Sequence, residues 1–141
     1  MGQPYLEVEE HDKLKNNIVI VRSPRYRNDF INYSFLNKTE GKIISIGLKS
    51  EYEDLKKSIK NLEFYDCKDF LELAQIIKSC RLFIGNECFA YSVAEGLKVP
   101  RLLEASPDFP VVFPVGKKAY DFYHQVHFEM FFEKLYVETK I

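Results

Sequence analysis

The chain has 141 residues, of which 46% are apolar and 29% charged, with a formal net charge of -1. That is the size and composition of one globular domain, and the near-neutral balance excludes a chain devoted to nucleic acid or to an anionic membrane. No apolar run approaches the ~20 residues that span a bilayer, and Cys67, Cys80 and Cys88, odd in number and without metal-ligand spacing, read as reduced thiols of a cytoplasmic protein.

Residues 1–16 are mostly polar and aperiodic, and read as a linker or leader; residues 17–141 read as the domain. Ile18-Val19-Ile20-Val21 is a continuous β-branched run, as expected of a strand covered on both faces. Arg22-Ser23-Pro24-Arg25-Tyr26-Arg27-Asn28 follows as a loop, by its proline and polar content. A second strand is expected near 43–47. Tyr52, Leu55, Ile59 and Leu62 then recur at helical spacing. A short strand near 63–65 precedes a helix with Phe70, Leu73, Ala74 and Ile77 on one face, capped by Asp66 or by Lys68-Asp69. Strands near 82–85 and 101–104 bracket a helix over 88–97. A proline-rich loop then leads through Val111-Val112-Phe113 to a final helix near 120–137.

Short apolar strands alternating with amphipathic helices make βαβ units. The fold class is therefore α/β, a Rossmann-like three-layer αβα sandwich with a mainly parallel sheet of five or six strands. The expected order, 3-2-1-4-5, puts the switch point beside strand one, where such sheets bind ligands beyond the strands' carboxyl ends.

Two stretches fall there. Arg22, Ser23, Arg25 and Arg27 could grip phosphate, because guanidinium groups fork onto its oxygens; the plain alternative is a solvated basic loop. Gly85-Asn86-Glu87 joins a buried strand to a helix whose first N–H groups attract anions. Asn86 there either contacts a ligand or caps the helix, and Glu87 suits ribose or sugar hydroxyls better than phosphate. GxGxxG in the first βα turn and GK[ST] are both absent, which argues against NAD and P-loop chemistry. His124, His127 and Glu129 lack a fourth ligand for a metal site and read as surface residues. Cys88, near a helix start, reads as buried rather than reactive. No cofactor or metal is expected.

Asp69 to Pro100 (DFLELAQIIKSCRLFIGNECFAYSVAEGLKVP) resembles the C-terminal, nucleotide-sugar-binding half of GT-B glycosyltransferases, above all the heptosyltransferase type of glycosyltransferase family 9. Leu71–Ile77 matches that family's helix and Gly85-Asn86 its turn, with Ala94 and Pro100 in register. RSPRY and the AEGLKVPR stretch also resemble small glycosyltransferase-like proteins of marine bacteria and their phages. The resemblance implies one half of a GT-B fold and metal-independent transfer of a sugar from a nucleoside-diphosphate donor. Arg25 and Arg27 would neutralise the diphosphate, Asn86 would assist, and Glu95 would reach ribose. The catalytic residues stay unknown, since the base would come from the other half. Glu87-Cys88-Phe89 and Ser92 depart from the family's Asp-Ser-Gly and histidine. They support the alternative of a non-catalytic binding or interaction module with a degenerate donor site; a nucleotide-sugar 2-epimerase-like domain is a further alternative.

Gln3–Val8 resembles an inter-domain linker, so Met1-Gly2 reads as a start added to a cut-out half. The expected partner is an N-terminal GT-B half, or a second copy joined through the aromatic C-terminal helix. On that helix Phe128, Phe131, Phe132 and Leu135 form a stripe, widened by Tyr123, Met130 and Tyr136. It either meets another unit or packs on its own sheet.

Overall fold

The computed structural model describes residues 4–109 and 114–139. One sheet of six parallel strands has the order β3-β2-β1-β4-β5-β6. The strands are β1 Ile18–Val21, β2 Ile43–Ser45, β3 Glu63–Phe64, β4 Leu82–Asn86, β5 Arg101–Glu104 and β6 Ala119–Phe122. Alternation along β1 explains its unbroken apolar run. Ile18 and Ile20 face one layer, built with Leu36, Leu55 and Phe128, while Val19 and Val21 face the other, with Ile77, Ala94 and Leu97. The first layer holds α1 (Lys49–Lys56) and α4 (Gln125–Glu138), and the second α2 (Phe70–Lys78) and α3 (Phe89–Leu97). Asp69 caps α2 by accepting from the Glu72 N–H at 2.9 Å.

Three expectations need correction. The final helix begins at Gln125 rather than near 120, because Ala119–Phe122 forms the sixth strand and pairs Leu102 with Tyr120. A strand there covers the outer edge of β5, which a helix could not pair. Val111–Phe113 lies outside the described residues. Secondly, α1 ends at Lys56; Ile59 and Leu62 are still buried, in the turns that follow. Thirdly, Phe70 is 51% exposed, whereas Glu72 and Ile76 are buried. The covering chain is the N-terminal segment, which has no helix or strand over residues 4–16 but lies across α2 and α3.

That segment is attached at Tyr5-Leu6, at His11 and at Asn16, whose N–H donates to the Ser79 carbonyl at 2.9 Å. The Tyr5 and Leu6 N–H groups both donate to the Gly96 carbonyl at 2.9 and 3.0 Å. A Cβ at Gly96 would lie 2.6 Å from Leu6 Cδ1, so a side chain there would displace Leu6. Farther on, His11 Nδ1 accepts from the Lys13 and Leu14 N–H groups, and Nε2 donates to Glu72 at 3.0 Å. The two main-chain donors on Nδ1 select the Nε2-protonated tautomer. Glu72 also accepts from the Tyr65 hydroxyl at 2.6 Å and the Lys68 N–H at 2.9 Å. The Tyr65, His11 and Lys68 bonds hold its carboxyl down at about 2.

The aromatic stripe closes the chain's own core. Phe128 stacks on Phe122 with centroids 4.1 Å apart, and Phe132 and Leu135 are buried beside it. Phe131 stacks on Tyr120 at 4.6 Å. A homodimer through these rings would have to open the core, where truncating one Phe costs about 3–5 kcal/mol.

Candidate functional site

Three connections leave the sheet at its carboxyl edge around the reversal of strand order. They are the 22–28 loop after β1, the Gly47-Leu48 turn from β2 into α1, and the Glu87-Cys88 turn from β4 into α3. Together they enclose a cleft of about 420 Å³. Val21, Ser23, Arg25, Tyr26, Gly47, Leu48, Glu51, Leu73, Glu87, Cys88, Phe89 and Ala90 line it.

The three loop arginines have separate fates. Arg22 forks onto Glu104, Nε to Oε1 at 2.8 Å and Nη2 to Oε2 at 3.0 Å, and lies over the Tyr33 ring. Arg27 donates to the Ser23 and Arg22 carbonyls and pairs with Asp54 at 2.7 Å. Arg25 is exposed, and its guanidinium reaches only the Tyr26 hydroxyl, at 3.3 Å. It is thus the one loop arginine without a carboxylate partner among the described residues.

Gly85 and Asn86 belong to β4 and are fully enclosed. Gly85 permits close strand contact: a Cβ there would lie 2.8 Å from the Val21 carbonyl oxygen. Asn86 does not cap α3. Its Oδ1 accepts from the Ser23 N–H at 2.9 Å, and its Nδ2 donates to the Ser23 and Arg25 carbonyls at 2.8 and 2.7 Å. A fully satisfied amide buried between two chain segments fixes their geometry, so Asn86 sets the loop that carries Arg25. The N-cap of α3 is Cys88, whose side chain makes no capping hydrogen bond. Burial pushes its thiol up to about 11, so it is not an activated nucleophile. The Cys67 and Cys80 thiols are likewise pushed up to about 12, chiefly by burial.

Glu87 lines the cleft, and its carboxylate has no hydrogen bond or ion pair among the described residues. Ser92 is exposed one turn into α3, with its hydroxyl 3.4 Å from the Cys88 carbonyl. Glu95 stands apart. It is bonded to Arg101 at 2.8 Å and to Lys98, and it accepts from the Val115 N–H at 3.2 Å, beside the amino end of β5. Burial works against its charge, but these cations keep its carboxyl below the ordinary value. His124 and His127 are exposed at the start of α4, and no group of three metal-ligating side chains exists among the described residues.

Sequence reasoning missed four residues here. Glu104 accepts from Arg22, from the Asn28 N–H at 2.7 Å and from the Tyr33 hydroxyl at 2.7 Å while wholly buried. Burial, together with the Glu104 charge, holds the Tyr33 hydroxyl well above its ordinary value. Asn28 ties the loop to the Ala105 and Tyr123 carbonyls. Glu51 accepts from the Leu48 N–H at 2.9 Å and lines the cleft. One signal was available: a glutamate ending the apolar run Leu102-Leu103-Glu104 sits at a strand's carboxyl end. The side-chain partners were not legible.

No family model matches the chain, and no curated protein matches it. Solved structures do. The E. coli heptosyltransferase WaaC with ADP aligns with a TM-score of 0.70 at 12% identity, over 89% of this chain and 46% of that one. The same enzyme with ADP-2-deoxy-2-fluoro heptose aligns at 0.67 and 12%, over 89% and 45%. E. coli ADP-heptose LPS heptosyltransferase II aligns at 0.63 and 15%, over 90% and 48%. The chain spans just under half the length of each. No helix among the described residues is long and apolar enough to cross a membrane. The chain has the fold of one half of the heptosyltransferases, a Rossmann-like half of the GT-B architecture.

Proposed function

We propose that this chain is the C-terminal, donor-binding half of a GT-B glycosyltransferase, acting in the cytoplasm on a nucleoside-diphosphate sugar without a metal ion. The observation that carries the reading is the position of Arg25. It is a cation without a carboxylate partner among the described residues, its main-chain carbonyl held by Asn86, in a cleft that the start of α3 also lines. Charge develops on the departing diphosphate during sugar transfer, and a positioned guanidinium stabilises it. Ser23 and the α3 start supply further donors, while Glu87 and Glu51 accept from sugar or ribose hydroxyls. Arg22, Arg27 and Asn86 shape the loop rather than touch donor, and Glu95 takes no part. Phe30, 90% exposed, and Leu48, 65% exposed, follow β1 and β2 on the same edge, where an N-terminal half would close over the donor.

Differential scanning fluorimetry against nucleoside diphosphates tests the reading. A ligand at 100 times its Kd stabilises by about 2.7 kcal/mol, and the shift should persist in EDTA. No shift with any nucleoside diphosphate overturns donor binding, and a shift abolished by EDTA overturns metal independence. Sugar transfer by the 141-residue chain alone overturns the half-enzyme reading. A second reading, a saccharide-binding module without donor chemistry, is favoured by one observation: Glu51 and Glu87 outnumber Arg25 in the cleft. Stabilisation by free sugars but by no nucleotide would select it.

A further inference from the structure

Phe89 is the first residue of α3, lines the cleft, and leaves 65% of its surface exposed. It belongs to neither core cluster. Its one aromatic neighbour among the described residues is Phe70 at the start of α2, with centroids 5.4 Å apart and planes tilted by 51°. A single exposed apolar residue needs no explanation. Here, however, the exposed ring borders the same cleft as Arg25 and two carboxylates, with Leu48 also exposed on its lining. Local preference does not account for it either, because Cys88 is a poor cap and α3 has no acidic residue in its first turn. A site that gives up local stability while presenting a flat apolar surface is suited to binding.

We propose that Phe89, backed by Phe70, is a stacking platform for the base of a bound nucleotide, so that the cleft recognises the flat ring as well as the phosphate. This rests on the donor-binding reading above and adds the base to it. A phosphate needs a cation, a ribose needs acceptors, and a base needs a flat apolar face. Arg25, the pair Glu51 and Glu87, and Phe89 supply these in one cavity of about 420 Å³. Every base has a π-face, so stacking gives affinity for nucleotides as a class and only a weak preference among bases.

The test measures binding of ADP, UDP and inorganic pyrophosphate to the wild type and to Phe89→Ala, Phe89→Tyr and Phe89→Trp. The chain contains no tryptophan, so Phe89→Trp places a sole indole fluorophore on the platform. Phe89→Ala should weaken both nucleotides about tenfold while leaving pyrophosphate unchanged, and Phe89→Tyr should restore nucleotide affinity. ADP should quench the indole and pyrophosphate should not. Nucleotide affinity unchanged in Phe89→Ala overturns the platform and leaves donor binding standing. An equal loss for nucleotides and pyrophosphate also overturns it, by showing that Phe89 acts on loop shape. Absence of nucleotide binding in the wild type overturns the donor reading and the platform together. If Phe89→Ala fails to fold, the Phe89→Trp quenching comparison decides by the same criteria.

Discussion

The two ends of the sheet use the same ion-pair chemistry to different effect. At the amino end of β5, the buried Arg101 meets Glu95 while also donating to the Val99 and Val115 carbonyls, and Lys98 completes the cluster. At the carboxyl end, Arg22 forks onto the buried Glu104 through two nitrogens, where Arg101 meets Glu95 through one. In the amino-end cluster every charged group is engaged, two cations sharing one carboxylate. At the carboxyl end, three residues beyond Arg22, Arg25 is left without a carboxylate among the described residues, beside a Glu87 unpaired among them and an exposed Phe89. Buried charge by itself therefore marks structure in this protein. The candidate site is marked by what remains unmatched next to it.

Four experiments would break or sharpen that contrast. The largest effect is expected for Glu104→Ala, which strands the Arg22 guanidinium, the Tyr33 hydroxyl and the Asn28 N–H. Removing one partner of a buried pair costs about 3–5 kcal/mol, and urea denaturation should find the upper part of that range. The 22–28 loop should also lose its shape, so nucleotide binding should fall in whatever fraction remains folded. Glu95→Ala should cost somewhat less, about 3 kcal/mol by the same principle. Its nucleotide affinity, measured well below the melting temperature, should match the wild type; a large loss would mean that the two ends are coupled.

Acid titration comes next. The Glu72 carboxyl lies at about 2 in the folded chain against an ordinary value of 4.5. A depressed carboxyl stabilises the fold above its unfolded value, and that contribution is lost as pH falls from about 4.5 towards 2. Glu72→Gln should flatten this part of the stability curve. Hydrogen exchange at the Lys13 and Leu14 amides, which donate to His11, should report release of the N-terminal segment. The smallest effect on stability belongs to Arg25→Ala, within about 0.5 kcal/mol as for an exposed side chain. Its nucleotide affinity should nevertheless drop, and unchanged affinity in isothermal calorimetry would remove Arg25 from the site.

The sequence by itself determined the layered α/β class, five of the six strands, and the place where loops gather at the switch point. It did so because these depend on apolar period, turn chemistry and strand order, which are local or follow from chain handedness. Residues 18–21 and 82–85 were legible as strands since a run covered on both faces has no polar alternation to hide it. The sixth strand was not, because Ala119–Phe122 owes its conformation to the neighbouring edge of β5 rather than to its own pattern. Only the tertiary structure decided the fate of each charge. Arg22, Arg25 and Arg27 look alike within one heptapeptide, yet Glu104 is 82 residues from Arg22 in sequence and Asp54 lies in helix α1. Which guanidinium stays open to a ligand depends on partners brought from far along the chain, and no local spacing encodes that.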